Sequence, residues 1–181
     1  MSVVTLTKLK EDDLEQFVVD NQEAFKYGAL EEFGKRDDHF EEDEEIISRK
    51  TIIDCIQNGE AYRIKEDGAI VGGLVLKIDY ETKHNHLDLL FIKPAYHSRG
   101  IGYKAWQLVE KLYPDTVIWE TCTPYFETRN IHFYVNKCGF KIVEFFNSHH
   151  VDPNDPEGCD EESYDDFDGM FRFEKYMDKW W

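Results

Sequence analysis

Hydrophobic and polar residues alternate along "SVVTLTKL" near the N-terminus, the two-residue period of a strand with one buried face. The next stretch, "EDDLEQFVVDNQEAF", changes period: Leu14, Phe17, Val18 and Phe25 share one helical face behind an acidic first turn. "EEIISRKTIIDCIQNG" repeats the helical pattern with Ile46, Ile53 and Ile56, and Asn58-Gly59 stops it. "EAYRIKED" and "AIVGGLVLKIDYE" then predict a hairpin about a short turn at Asp67-Gly68, with Gly72-Gly73 marking a bulge or bend. "HNHLDLLFIKP" predicts a third consecutive strand, ended by Pro94. From Gly100 onward Ile101, Ala105, Leu108 and Leu112 recur at helical spacing as far as Pro114. A β-rich run "TVIWETCT", a helix-like "ETRNIHFYVNKC", and two strands, "FKIVEFF" and "GMFRFEKYM", complete the order β-α-α-β-β-β-α-β-α-β-β.

A chain of 181 residues that is 41% hydrophobic and 15% aromatic supports one core, and we expect a single domain over 1–181. "MSVVTLTKLKEDD" turns charged before any apolar run develops, unlike a signal peptide, and no apolar run approaches the roughly 20 residues of a membrane span. A cytoplasmic protein without membrane attachment is the expectation. The four cysteines, Cys55, Cys122, Cys138 and Cys159, lack any paired spacing, which suits free thiols better than a disulfide framework or a zinc site.

The net charge of −17 is concentrated in two segments. Residues 37–45, "DDHFEEDEE", carry seven carboxylates, and residues 152–168, "DPNDPEGCDEESYDDFD", carry nine; neither has a Lys or Arg. Without those sixteen, the remaining 22 acids nearly match the 21 bases. Nucleic-acid binding, which needs a basic footprint, is disfavoured. The segments are either solvated inserts or a rim that attracts cations. "DPNDPEG" fails as a calcium loop, because Glu157 stands where the glycine belongs and Ser163 where the final Glu belongs. His149-His150 near Cys159 is too sparse for zinc, so no metal is expected.

The stretch "HSRGIGYKA" carries the clearest chemistry. Glycines that let a backbone approach closely, at the start of a helix whose free amides point outward, form a cradle for phosphate. It is not a Walker loop. Gly100-x-Gly102-x-x-Ala105, with Glu120 twenty residues on, also fits a variant dinucleotide fingerprint. Against that, three strands precede it, "AYHSR" separates Pro94 from Gly100, and too few strand–helix units follow.

"FIKPAYHSRGIGYKAWQLVEKL" followed by "TRNIHFYVNKCGF" resembles the GNAT superfamily of acetyl-CoA-dependent N-acetyltransferases, over residues 3–147 with a matching last strand near 169–177. His97 departs from the usual Gln or Arg at the head of the phosphate motif, and Arg99 before Gly100 is a common variant. The resemblance implies an α+β fold with a central, mostly antiparallel sheet of about seven strands, splayed between strands four and five and flanked by about four helices. It implies acetyl-CoA as co-substrate. Its pantetheine would pair with backbone around Phe91 and Ile92, and its pyrophosphate would take amides from His97, Ser98, Arg99, Gly100, Ile101, Gly102 and Tyr103. Asn130 joins this set. Tyr134 is the implied general acid for the departing thiolate. "VNKC" puts four residues between it and Gly139 where the family commonly has three, so either the helix absorbs one residue or Val135 takes the tyrosine's place. The alternative for Tyr134 is a tyrosine packed in the core.

Asp88 and Glu120 are both candidates for the base that deprotonates the amine; His84 and His86 could relay a proton, or be exposed hairpin-end residues. Cys122 reads as a small buried hydrophobe. The acidic segments would flank the acceptor entrance, implying a cationic amine. The tail "DKWW" suits core packing or a homodimer contact. A GNAT-like module that binds acyl-CoA without turnover is the alternative.

Overall fold

The computed structural model describes residues 2–33, 45–154 and 169–177. Most of the two acidic segments, Cys159 and the "DKWW" tail lie outside the described residues. Among the described residues seven strands and four helices make a mixed α+β fold, arranged in two compact units, residues 1–116 and 117–181.

The first unit holds four antiparallel strands in the order β1 (Val4–Lys8), β2 (Glu60–Glu66), β3 (Ala69–Lys77) and β4 (His84–Ile92). Its helices are α1 (Leu14–Phe33), α2 (Arg49–Asn58) and α3 (Ile101–Leu112). Asp67 and Gly68 both take left-handed backbone (φ 49° and 85°), which makes the expected tight hairpin turn. The Asp67 carboxylate and amide clamp both backbone groups of Val3, fixing the start of β1. α2 begins later than its hydrophobic period suggested. The Ser48 hydroxyl accepts from the Thr51 amide at 3.1 Å and caps the helix there, so Ile46 and Ile47 precede it and Ile52 becomes its fully buried residue.

β3 is buried on both faces from Val71 to Leu76. A Cβ on Gly73 would run into the Phe17 ring, so this glycine lets α1 approach the sheet. The expected bulge lies one residue earlier: Ile64 pairs with Gly72 and Lys65 with Ile70, leaving Val71 over. A second register shift was not foreseen. Val75 pairs with Leu89 and Leu76 with Leu87, so Asp88 is the extra residue of β4.

α1 is fastened by charge as well as by packing. Arg63, 2% exposed, donates to both carboxylate oxygens of Asp13 at 2.7 and 2.8 Å and to Asp20 at 2.9 Å. Its guanidinium lies 5.0 Å from the Phe17 ring centre, and Lys93 Nζ approaches Asp20 at 3.2 Å. A second hub is Glu60, which accepts from Lys8 (2.9 Å), Tyr62 (3.1 Å), Tyr113 (3.0 Å) and Tyr80. It joins β1, β2, the β3–β4 turn and the end of α3. Burial alone would raise the Glu60 carboxyl, but those donors outweigh it and hold it at about 2.

In the second unit β7 (Met170–Tyr176) is central, antiparallel to β5 (Ile118–Pro124) and β6 (Lys141–Phe146). A short helix α4 (Thr128–His132) runs on into a π-helical turn at Phe133–Cys138. In β6, Ile142, Val143 and Phe145 are exposed, and a register shift leaves Val143 unpaired by β7.

Replacing Arg63 by Met should destabilise the protein by about 3–5 kcal/mol, because it strands Asp13 and Asp20 without their counter-charge; urea unfolding measures this. The lowered Glu60 value stabilises the fold above the ordinary 4.5, and that contribution is lost as pH falls through about 2. The thermal midpoint should therefore drop over that interval, and drop less steeply in Glu60→Gln.

Candidate functional site

After Ile92 the chain makes one 3-10 turn (Pro94–Tyr96) and then the segment that opens α3. Gly100 caps α3 in left-handed backbone (φ 71°, ψ 11°), and Ser98 is left-handed too, at φ 61°. Among the described residues no side chain caps the helix, and its first backbone bond runs from Lys104 N–H to Gly100 C=O. The amides of Ile101, Gly102 and Tyr103 thus stand in the first turn without a side-chain cap. Among the described residues a Cβ built on Gly100 meets nothing within 4 Å. Positive helix-end charge, amides and open space coincide, which is the arrangement an anion requires.

His97 anchors this segment. Its Nε2 lies 2.6 Å from the Ile92 carbonyl, so Nε2 carries the proton, and its ring meets Tyr27 of α1 edge-on at 5.5 Å. Arg99 Nη2 reaches Glu66 at 3.1 Å while its guanidinium lies 5.6 Å from the Tyr96 ring centre. The Ile92 carbonyl is therefore engaged by His97, and Phe91 packs its ring on Phe17 at 5.1 Å.

Asp88, left over at the β4 bulge, accepts from His86: Nδ1 and Oδ1 are 2.6 Å apart, both side chains half-buried. A bulge re-aims a side chain that ordinary strand alternation would fix. His86, expected at most as a relay, is thus the direct partner of Asp88, whereas His84 is exposed.

The second unit settles the spacing around Tyr134. The π turn takes up the additional residue of "VNKC": Gly139, left-handed at φ 82°, and Phe140 both donate to the Tyr134 carbonyl. Tyr134 remains buried, packed on Phe140 at 5.7 Å and Phe173 at 5.6 Å, while Val135 is half-buried. Burial pushes its hydroxyl well above an ordinary phenol, a hydrogen bond with Thr121 opposes that, and the Glu127 charge adds to it. Asn130 is exposed and donates to Glu127, which also accepts from Thr123 at 3.1 Å. Asn130 therefore does not share the buried face of Tyr134.

Alternation along β5 turns Thr121 and Thr123 inward and Glu120 to the opposite face. There Arg172 binds Glu120 (2.8 Å), Glu144 (2.8 Å) and Glu174 (2.6 Å). Arg172 and Thr121 are partners that sequence reasoning missed; they come from strands paired across fifty residues. His150 binds Glu144 at 2.7 Å, and among the described residues no group of three or more His, Cys, Asp or Glu could hold a metal ion. No described helix is long and apolar enough to cross a membrane.

The model of the Acetyltransferase (GNAT) family matches residues 14–140, and the chain belongs to that family. It is 47% identical over 180 residues, 97% of this chain and 95% of the relative, to the uncharacterized protein YrkN of Bacillus subtilis (strain 168). Its fold is similar to the PaiA N-acetyltransferase of Thermoplasma acidophilum solved with coenzyme A (TM-score 0.63, 17% identity, 97% of this chain and 99% of that one). It is also similar to the ribosomal-protein-S18-alanine N-acetyltransferase of Escherichia coli (TM-score 0.65, 11% identity, 99% of each chain).

Proposed function

We propose that the protein transfers the acetyl group of acetyl-CoA directly to a primary amine of a cationic acceptor. The observation that carries this is the left-handed, uncapped start of α3 at Gly100 in a chain of the GNAT family. The family match runs from α1 to Phe140, through both units, which supports one acetyltransferase domain. The cofactor set is Phe91, Ile92, His97, Ser98, Arg99, Gly100, Ile101, Gly102, Tyr103 and Asn130.

In the reaction the amine nitrogen attacks the thioester carbonyl, the carbon–sulfur bond breaks, and an amide and CoA thiol form. Two protons must move: one leaves the amine and one reaches the sulfur. Asp88, oriented by His86, takes the first. Glu120, held by Arg172, is the less suited of the two carboxylates. Tyr134 gives the second; its raised hydroxyl value keeps it protonated at neutral pH, as a donor must be. The sixteen carboxylates of residues 37–45 and 152–168 support a cationic acceptor drawn by long-range attraction.

Gly100→Val places a branched side chain in the open space at the start of α3, on left-handed backbone (φ 71°) that valine rarely adopts. It should raise the Kd for CoA at least tenfold, about 1.4 kcal/mol, in a protein that still folds. Tyr134→Phe should keep CoA binding and lose about 10²–10⁴ in turnover; turnover within about twofold of the parent removes Tyr134 from the mechanism. With the best acceptor from an amine panel, kcat/KM should fall as salt rises and kcat should change far less, since screening at a Debye length of ~8 Å weakens capture and not chemistry. A flat profile assigns the acidic segments to solubility. CoA binding without thiol release on any amine would leave a non-catalytic acyl-CoA module.

A further inference from the structure

β5 buries polar groups on a face where a strand ordinarily buries apolar ones. Its inward residues are Trp119, Thr121 and Thr123, and both threonines are almost sealed, at 2% and 4% exposed. A valine has nearly the shape of a threonine, and a buried hydroxyl is costly unless it is hydrogen-bonded. The Thr123 hydroxyl has a use: it donates to Glu127 at 3.1 Å. Thr121 lies directly across from Phe173 of β7. Tyr134 packs on that same Phe173 ring at 5.6 Å and on Phe140 at 5.7 Å, which brings its phenol to the Thr121 hydroxyl, and the two are hydrogen-bonded.

Two hydroxyls can pair in either direction, and the directions have opposite consequences. If Tyr134 donates, its proton is committed to Thr121 and withheld from any substrate. If Thr121 donates, the phenolic oxygen accepts and its own proton points elsewhere. The bond to Thr121 favours the ionised phenol, against burial and against the Glu127 charge, as a donating threonine does. We propose that Thr121 is a positioning residue for Tyr134: its hydroxyl donates to the phenolic oxygen, directs the phenolic proton at the departing sulfur, and stabilises the phenolate left behind. This rests on the acyl-transfer reading above and names the group that orients its acid. The carbon–sulfur electron pair goes to sulfur, and sulfur takes the Tyr134 proton. The phenolate keeps the Thr121 bond until water returns the proton after CoA leaves; the Thr121 proton stays on Thr121. A hydrogen bond to a charged oxygen is stronger than one to a neutral oxygen, so Thr121 contributes more as the proton moves than before it does. Only such a difference accelerates a step.

Thr121→Val removes the donor and keeps the volume, and Thr121→Ser keeps the donor. With the best acceptor, Thr121→Val should lower kcat about tenfold or more, Thr121→Ser should stay near the parent, and the Kd for CoA should hold in both. In a Tyr134→Phe background Thr121→Val should cost nothing further, whereas a merely structural threonine costs the same in both backgrounds. The direction of the bond is read separately, by placing difluorotyrosine at position 134 and following its ionisation by absorbance. Thr121→Val should move that ionisation to higher pH; should Thr121→Val not fold, Thr121→Cys, a weaker donor, should move it the same way. An ionisation that stays or moves to lower pH, an unchanged kcat, a Thr121→Ser variant as slow as Thr121→Val, or an equal loss in the Tyr134→Phe background overturns the proposal. If the parent acetylates no amine, the acyl-transfer reading fails alone, and the difluorotyrosine ionisation still decides which hydroxyl donates.

Discussion

Burying a guanidinium is expensive, and the first unit is organised around doing so once. Arg63 is tolerable in the core only because Asp13 and Asp20 meet Nε, Nη1 and Nη2 at hydrogen-bonding distance. Both carboxylates lie on or just before α1, so satisfying the charge sets the helix in one position along the sheet. A purely apolar face could slide; a forked donor with fixed geometry cannot. From that position Phe17 reaches Phe91, Asp20 reaches Lys93, and Tyr27 reaches His97. One ion pair network thus fixes the helix against the end of β4 and the turn that follows.

The turn itself is tied down in a related way. His97 spends its ring proton on the Ile92 carbonyl, and Arg99 is drawn to Glu66. These two side chains are thus engaged away from the amides that open α3. In the second unit the π turn has the same character. The Tyr134 carbonyl accepts from both Gly139 and Phe140, and Lys175 closes the Cys138 carbonyl at 2.6 Å. An additional residue is accommodated without exposing backbone.

Much of this could be read along the chain, and what could not has physical causes. Strands and helices follow from period, and Gly100 and Gly139 announce left-handed backbone because glycine alone adopts it freely. Ser98 gives no such signal, although it adopts the same conformation. The Asp88 bulge is a property of pairing with β3 and is invisible in β4 alone. The Arg172 network draws carboxylates from three strands, and only the strand order β5-β7-β6 brings them together. The start of α2 was misplaced because a hydrophobic period has no means of showing that Ser48 outcompetes the helix for the Thr51 amide. The spacing before Gly139 did reveal an extra residue, and only coordinates show where it goes.

The outer strand β6 bears on whether another chain can extend the sheet. An edge that presents Ile142, Val143 and Phe145 to water is a template onto which another chain could add a strand. Two details work against that outcome. Val143 stands outside the ladder, so the spacing of donors and acceptors along β6 is irregular, and Lys141 puts a cation at its start. A straight polypeptide laid along β6 would meet its partners out of step after two residues. Straightening this strand, by deleting Val143 for instance, would make a smoother sheet and a stickier molecule.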